Sequence, residues 1–229
     1  PQQDMPVIRQ LGFTHIRDEV YWRNIEKTRG KLEMPADYDA FVKTATDQGV
    51  GVLLALNYGN KLYDNGSYPT SDEGIEAFCR YAEFVATRFK GRVQYYEIWN
   101  EWDLGIGVPR RADGKRDAGA IEPYVKLAKA VYPRLKKVDP NITVLAGASA
   151  EPGTFGGWLE KGVKLGLLDG CDGISFHPYN RPAPPEDCIQ KIEALIPKLR
   201  AAAGANKKPL QLYISELGWP CLLYTSDAA

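Results

Sequence analysis

Two glutamates, each closing an apolar run, are the residues whose type and setting could do chemistry. The first ends the stretch Tyr95-Tyr96-Glu97-Ile98-Trp99-Asn100-Glu101-Trp102-Asp103, which starts as an aromatic and β-branched strand and turns abruptly polar. With a two-residue period, Val93, Tyr95, Glu97, Trp99 and Glu101 share one face, so Glu101 stands at the strand's carboxyl end. The second ends Leu210-Gln211-Leu212-Tyr213-Ile214-Ser215-Glu216 and is soon followed by Gly218 and Trp219. Either segment alone could equally carry a solvated loop acid. Strands ending near Ala148 and Tyr179 fall between them, which puts Glu216 three strands after Glu101. In a ring of eight strands, three apart is nearly opposite. A carboxylate pair facing across a cleft is what glycoside hydrolysis needs, one as acid/base and the other as nucleophile or base.

The residues around the pair fit that task. Ser175, His177 and Tyr179 share parity on one strand, and His15 and Arg17 share a face of an earlier one. A tyrosine hydroxyl and the Arg17 guanidinium beside Glu216 would stabilise its charged form as a nucleophile, while Glu101, under Trp99 and Trp102, would stay protonated as an acid. Structural alternatives stay open for each. His177, before Pro178, is also placed as a structural hydrogen-bonder, and Arg17 could simply neutralise Glu97 inside a barrel. Asn100 could be a turn residue, although its amide also suits a sugar hydroxyl, and the Tyr and Trp residues near the mouth divide between core and sugar-stacking platform. Two histidines exclude a His-rich metal site, and a metal-dependent barrel hydrolase would need strand-end ligands that this chain does not supply. No metal or cofactor is expected.

The elements that must position these groups are legible from periodicity. Strands are expected at 13–20, 50–56, 93–101, 142–148, 173–179 and 209–216, and helices at 5–11, 38–48, 73–90, 121–138, 158–167 and 188–203. Such alternation argues for an all-parallel sheet, either doubly wound or closed as a barrel. Two features favour the barrel. No glycine-rich phosphate loop follows any strand, and polar residues recur at strand carboxyl ends. Two long loops, 57–72 and 103–119, read as functional or lid segments. In the second, Arg110, Arg111, Lys115 and Arg116 are interspersed with Gly and Asp, which favours a solvated flap over an anion site.

Composition sets the outer bounds. With 229 residues, 44% of them hydrophobic and 25% charged, one globular domain with a sizeable core is the default. Lys+Arg and Asp+Glu both total 29, so nucleic acid is not expected as a partner. The longest apolar run, 50–56, is too short to span a bilayer, and no membrane partner is expected. Cys79, Cys171, Cys188 and Cys221 lack metal or disulfide spacing and read as structural thiols.

The motifs Ile98-Trp99-Asn100-Glu101, Ser175-Phe176-His177-Pro178-Tyr179 and Ile214-Ser215-Glu216-Leu217-Gly218-Trp219 resemble the signatures of glycoside hydrolase clan A, retaining (β/α)8-barrel enzymes, nearest to families thirty-nine and five. The resemblance covers nearly the whole chain. It implies Glu101 as acid/base on the fourth barrel strand and Glu216 as nucleophile ending the seventh. It further implies Asn100 at the sugar 2-hydroxyl, Tyr179 as the phenol touching the nucleophile, Arg17 as the second-strand arginine, and His177 as the histidine two before that tyrosine. Trp99, Trp102 and Trp219 are expected to face substrate; Trp102 stands where many members have proline. Counting strands this way implies an incomplete α/β TIM barrel holding strands two to seven, with the first and eighth missing. A partial barrel domain is thus expected over 1–220. The string 221–229 matches the in-frame translation of a transposase sequencing adapter and is expected to be non-native. The expected function is retaining hydrolysis of β-linked oligo- or polysaccharides, with a fragment of this extent expected to be inactive and a secreted or periplasmic setting favoured. The alternative is a non-catalytic carbohydrate-binding barrel relic.

Overall fold

The computed structural model describes residues 4–150, 157–179, 184–204 and 209–218; Trp219 and the 221–229 string lie outside them. Six strands form one sheet in chain order: β1 (His15–Tyr21), β2 (Gly51–Asn57), β3 (Tyr95–Ile98), β4 (Thr143–Ser149), β5 (Gly173–Phe176) and β6 (Leu212–Ile214). Each pairs in parallel with the next. A parallel neighbour requires a long crossover, and helices supply it. After α1 (Met5–Gln10) and the single turn α2 (Trp22–Ile25) come α3 (Ala36–Asp47), α4 (Asp72–Arg88), α5 (Ile121–Val138), α6 (Trp158–Lys164) and α7 (Pro185–Ala203). A doubly wound sheet reverses its strand order at a switch point. Here the order never reverses, so the sheet is an arc of a (β/α)8 barrel, and no ladder joins β1 to β6 among the described residues. None of the described helices is long and apolar enough to cross a membrane.

Local chemistry explains the helices that back the site. α4 begins where the Ser71 hydroxyl accepts from the Gly74 N–H at 3.0 Å, and its apolar face buries Phe78, Tyr81, Ala82 and Val85. Trp22 of α2 stacks on that face, its ring 5.9 Å from Tyr81 and edge-on to Phe78 at 5.4 Å. α5 runs unbroken through Pro133 and carries the buried Tyr124, whose hydroxyl donates to the Ile98 carbonyl at 2.8 Å and accepts from Gly147 N–H at 2.6 Å. That phenol clamps the end of β3 to β4. At the clamp β4 is irregular: register slips between Ala146 and Ser149, and Gly147 has φ 118°. A Cβ at Gly147 would fall 2.4 Å from the Ser175 carbonyl oxygen, so glycine is required twice over.

Three strands stop short of their expected ends, and for β5 the reason is visible. Pro178 cannot donate to a ladder, and the chain leaves the sheet after Phe176. Cys79, Cys171 and Cys188 are buried thiols.

Candidate active site

The carboxyl ends of the strands collect buried polar groups: Asn57 ending β2, Asn100 after β3, Ser149 ending β4 and His177 after β5. Placing Glu101 there takes more than an extended strand. β3 ends at Ile98, and the next three residues alternate in hand, with Trp99 at φ 66° and Glu101 at φ 48°. The period-two face therefore does not continue to Glu101. A kink aims it instead. Left-handed non-glycine residues cost about 1–3 kcal/mol each and persist only where surroundings over-determine them. Here Trp99 N–H donates to Leu56 O (3.1 Å) and Glu101 N–H to Ala148 O (2.8 Å), while Leu104 and Ile106 N–H both return to Glu101 O.

The two tryptophans serve the kink rather than the substrate. Trp99 and Trp102 are 0% and 1% exposed, packed together with Tyr58, Tyr68 and Tyr124. Their indole N–H groups donate to Ile106 O (3.1 Å) and Ala120 O (3.0 Å). Neither leaves a ring face for a sugar, so the expectation that they stack on substrate is corrected: their large apolar area is used to pin the loop.

The other expected residues converge. Glu216, whose side chain is 28% exposed, accepts from Arg17 Nη1 at 2.5 Å and from the Tyr179 hydroxyl at 3.1 Å. His177, wholly buried, has Nδ1 3.1 Å from Glu101 Oε1 and Nε2 3.0 Å from the Ser215 hydroxyl. Asn100 accepts from Arg17 Nη2 at 2.8 Å, and Glu97 accepts from Arg17 Nε at 2.7 Å. Both readings of Arg17 thus hold together, since one guanidinium serves the interior acid and the mouth. A carboxyl oxygen of Glu101, a ring nitrogen of His177 and a carboxyl oxygen of Glu216 all lie within 4.8 Å of one another. By distance such a trio could hold a cation. The Arg17 guanidinium on Glu216 already brings positive charge there.

Several mouth residues went unread in the sequence. Glu19 sits in register with Ala55 and, through it, Glu97. It accepts from Asn57 Nδ2 (3.0 Å), the Tyr58 hydroxyl (2.8 Å) and the Tyr21 hydroxyl. The Tyr21 phenol is pushed up to about 12 by its hydrogen bond to Glu19 and by burial. Glu19 shares parity with Arg17, so the strand pattern held the signal. Asp103 read as loop but is 2% exposed and accepts from the Ser149 hydroxyl (2.8 Å) and Ala150 N–H (3.1 Å).

Burial, with a smaller push from Glu101, raises the Asp103 pKa to about 6, against the hydrogen bonds that favour its charge. A raised carboxyl binds its proton more tightly in the folded than in the unfolded chain. Stability should therefore fall as pH climbs from about 4 to about 6 and then level, by up to roughly 3 kcal/mol. Asp103→Asn keeps an acceptor for Ala150 and removes the titration. Its urea midpoint should gain on the parent's between pH 4 and pH 7.5; parallel pH curves for the two would refute the assignment.

The family model described as cellulase (glycosyl hydrolase family 5) matches residues 2–181. A family 39 glycoside hydrolase from the gut symbiont Bacteroides cellulosilyticus WH2 superposes with a TM-score of 0.77 at 28% identity, over 95% of this chain and 46% of that one. A monomeric β-xylosidase from Caulobacter crescentus CB15 shares the fold, with a TM-score of 0.66 at 16% identity over 95% of this chain and 48% of that one. Cytosolic β-glucosidase from Cavia porcellus is 28% identical over 123 residues, 47% of this chain and 26% of its own length. This chain thus spans about half the length of those solved structures, and its match covers about a quarter of the β-glucosidase.

Proposed function

Because the chain belongs to glycosyl hydrolase family 5, the cellulase family, we propose that it carries the acid/base and nucleophile of a retaining β-glycoside hydrolase. The observation that carries the reading is the closeness of the two carboxyls, with one oxygen of each within 4.8 Å of the other. Retaining enzymes hold their carboxyl groups about 5–5.5 Å apart, whereas inverting ones leave roughly 6.5–9.5 Å for a water between them.

In this reading Glu216 attacks the anomeric carbon from one face of the sugar while Glu101 protonates the departing glycosidic oxygen. Glu101 then removes a proton from the water that releases the sugar from Glu216. Arg17 and Tyr179 fix the attacking carboxylate, each through one of its oxygens. His177 bridges Glu101 to Ser215 and limits its rotation. Asn100, held by Arg17, is the amide for the sugar 2-hydroxyl. No step calls for a metal or cofactor. A non-catalytic carbohydrate-binding relic would rest on aromatic platforms, and two of the three tryptophans assigned to that task are buried.

β-Glucosides are the substrates to try first, given the named activity of the curated relative, followed by β-xylosides and cellulose-type oligomers. The full-length protein carrying this chain should release the β-anomer first from an aryl β-glycoside, as read by proton NMR before mutarotation. First release of the α-anomer would overturn the mechanism.

A further inference from the structure

An open cleft of about 830 Å³ lies between the loops that follow β1, β2 and β3, at the same end of the sheet as Glu101 and Glu216 but lined by none of the catalytic candidates. Its walls carry four exposed cations, Arg23, Lys27, Lys61 and Arg116. None of the four has a carboxylate within ion-pair distance among the described residues. Elsewhere Arg29, Arg88, Arg111 and Arg134 each have one. The one acid in the wall among the described residues, Glu26, is 2% exposed and turned inward, where it accepts from Trp22 Nε1, Gly30 N–H and the Tyr63 hydroxyl at 2.7 Å each. The chain as a whole has a formal net charge of zero, so this concentration of unpaired charge is local.

Like charges gathered in a concave site focus a positive potential that an anion relieves. The loop holding Arg116 also divides in a telling way. Arg111 pairs with Asp113 and Asp117, and Arg110 donates to the Gly114 carbonyl, as a solvated flap would. Arg116 is left facing the cleft.

The cleft and the mouth share a wall. Gly107 lines the cleft and lies so close to Tyr58 that a Cβ there would fall 2.1 Å from its ring. On the other side, the Arg23 guanidinium sits 4.6 Å over the Tyr21 ring, and Tyr21 and Tyr58 both donate to Glu19. Among the described residues no aromatic side chain lines the cleft itself, so they offer none of the stacking surface that a neutral sugar uses.

We propose that this cleft is a distal subsite for an acidic saccharide, whose carboxylate- or sulfate-bearing unit lies against Arg23, Lys27, Lys61 and Arg116 while the scissile bond lies between Glu101 and Glu216. The proposal rests on the glycosidase reading for the orientation of the chain. Charge recognition in the cleft does not depend on it.

The test is calorimetric titration of the full-length protein with a β-1,4-linked tetraglucuronate, a sulfated carrageenan tetrasaccharide and cellotetraose. At least one acidic ligand should bind, and which of the two does so identifies the anionic group. That binding should weaken several-fold on raising salt to about 0.3 M, where screening shortens to a few ångströms. Replacing exposed Lys61→Gln and Arg116→Gln together should weaken it by roughly tenfold, with cellotetraose affinity and aryl β-glycoside hydrolysis unchanged. Failure of both acidic ligands to bind, binding indifferent to the double variant, or equal affinity for a random DNA duplex would each overturn the proposal. Loss of the glycosidase reading alone would show differently, as acidic-ligand binding without hydrolysis of any β-glycoside.

Discussion

Glu216→Ala should abolish turnover of aryl β-glycosides, lowering kcat on the order of 10⁴-fold or more, because losing a nucleophile removes the whole covalent route. The side chain is 28% exposed and its two donors, Arg17 and Tyr179, stay behind as a small positively lined space. Azide fits such a space and carries the charge those donors lack. Added azide should therefore restore cleavage, with the product an α-glycosyl azide, since it attacks from the face the carboxylate used. Glu101→Ala should behave differently. It should slow substrates with poor leaving groups far more than nitrophenyl glycosides, and azide should then give the β-glycosyl azide by attack on the glycosyl-enzyme. Finding the α product with the Glu101 variant and the β product with the Glu216 variant would mean that the roles are exchanged.

How far the sequence led depends on what each feature rests on. The order of strands and helices was legible because burial of one face imposes a period on residue type. The two carboxylates were legible because an acid ending an apolar strand is chemically out of place. What failed is instructive. The shared face of Tyr95, Glu97, Trp99 and Glu101 assumed extended backbone, and two left-handed residues break it at Trp99 and Glu101. Their support comes from Leu56, Ala148 and the loop beyond, none of which is local in sequence. Trp99 and Trp102 were assigned to substrate because residue type reports how much area is apolar and not which surface covers it. Their indole N–H groups are satisfied by carbonyls up to 18 residues away, which only the folded chain brings near. Glu19 was within reach, one parity step beyond Arg17. Asp103 was not, since nothing in a Trp-Asp-Leu-Gly string marks its acid as buried.

Arg17 is where fold and site cannot be separated by a single substitution. Its side chain is 14% exposed, and its three nitrogens address Glu97, Asn100 and Glu216. Burial works to lower its pKa, yet the charges of Glu97 and Glu216 outweigh that and hold it above its ordinary value. Glu97 is wholly buried, and its Oε1 already lacks a partner. Arg17→Ala would leave that carboxylate uncompensated, an arrangement that costs about 3–5 kcal/mol, a large share of the roughly 5–15 kcal/mol that holds a domain folded. A sharp fall in the urea midpoint is expected, together with loss of turnover. Lys at this position restores charge but not the fork, since a point charge cannot hold three acceptors at fixed angles. The decisive variant adds Glu97→Gln to Arg17→Ala. Neutralising the interior acid should recover much of the stability while kcat/KM stays depressed by roughly 10²-fold, because Glu216 and Asn100 still lack their charged donor. If the double variant recovers turnover along with stability, Arg17 is only the counter-ion of Glu97, and fixing the attacking carboxylate falls to Tyr179 alone.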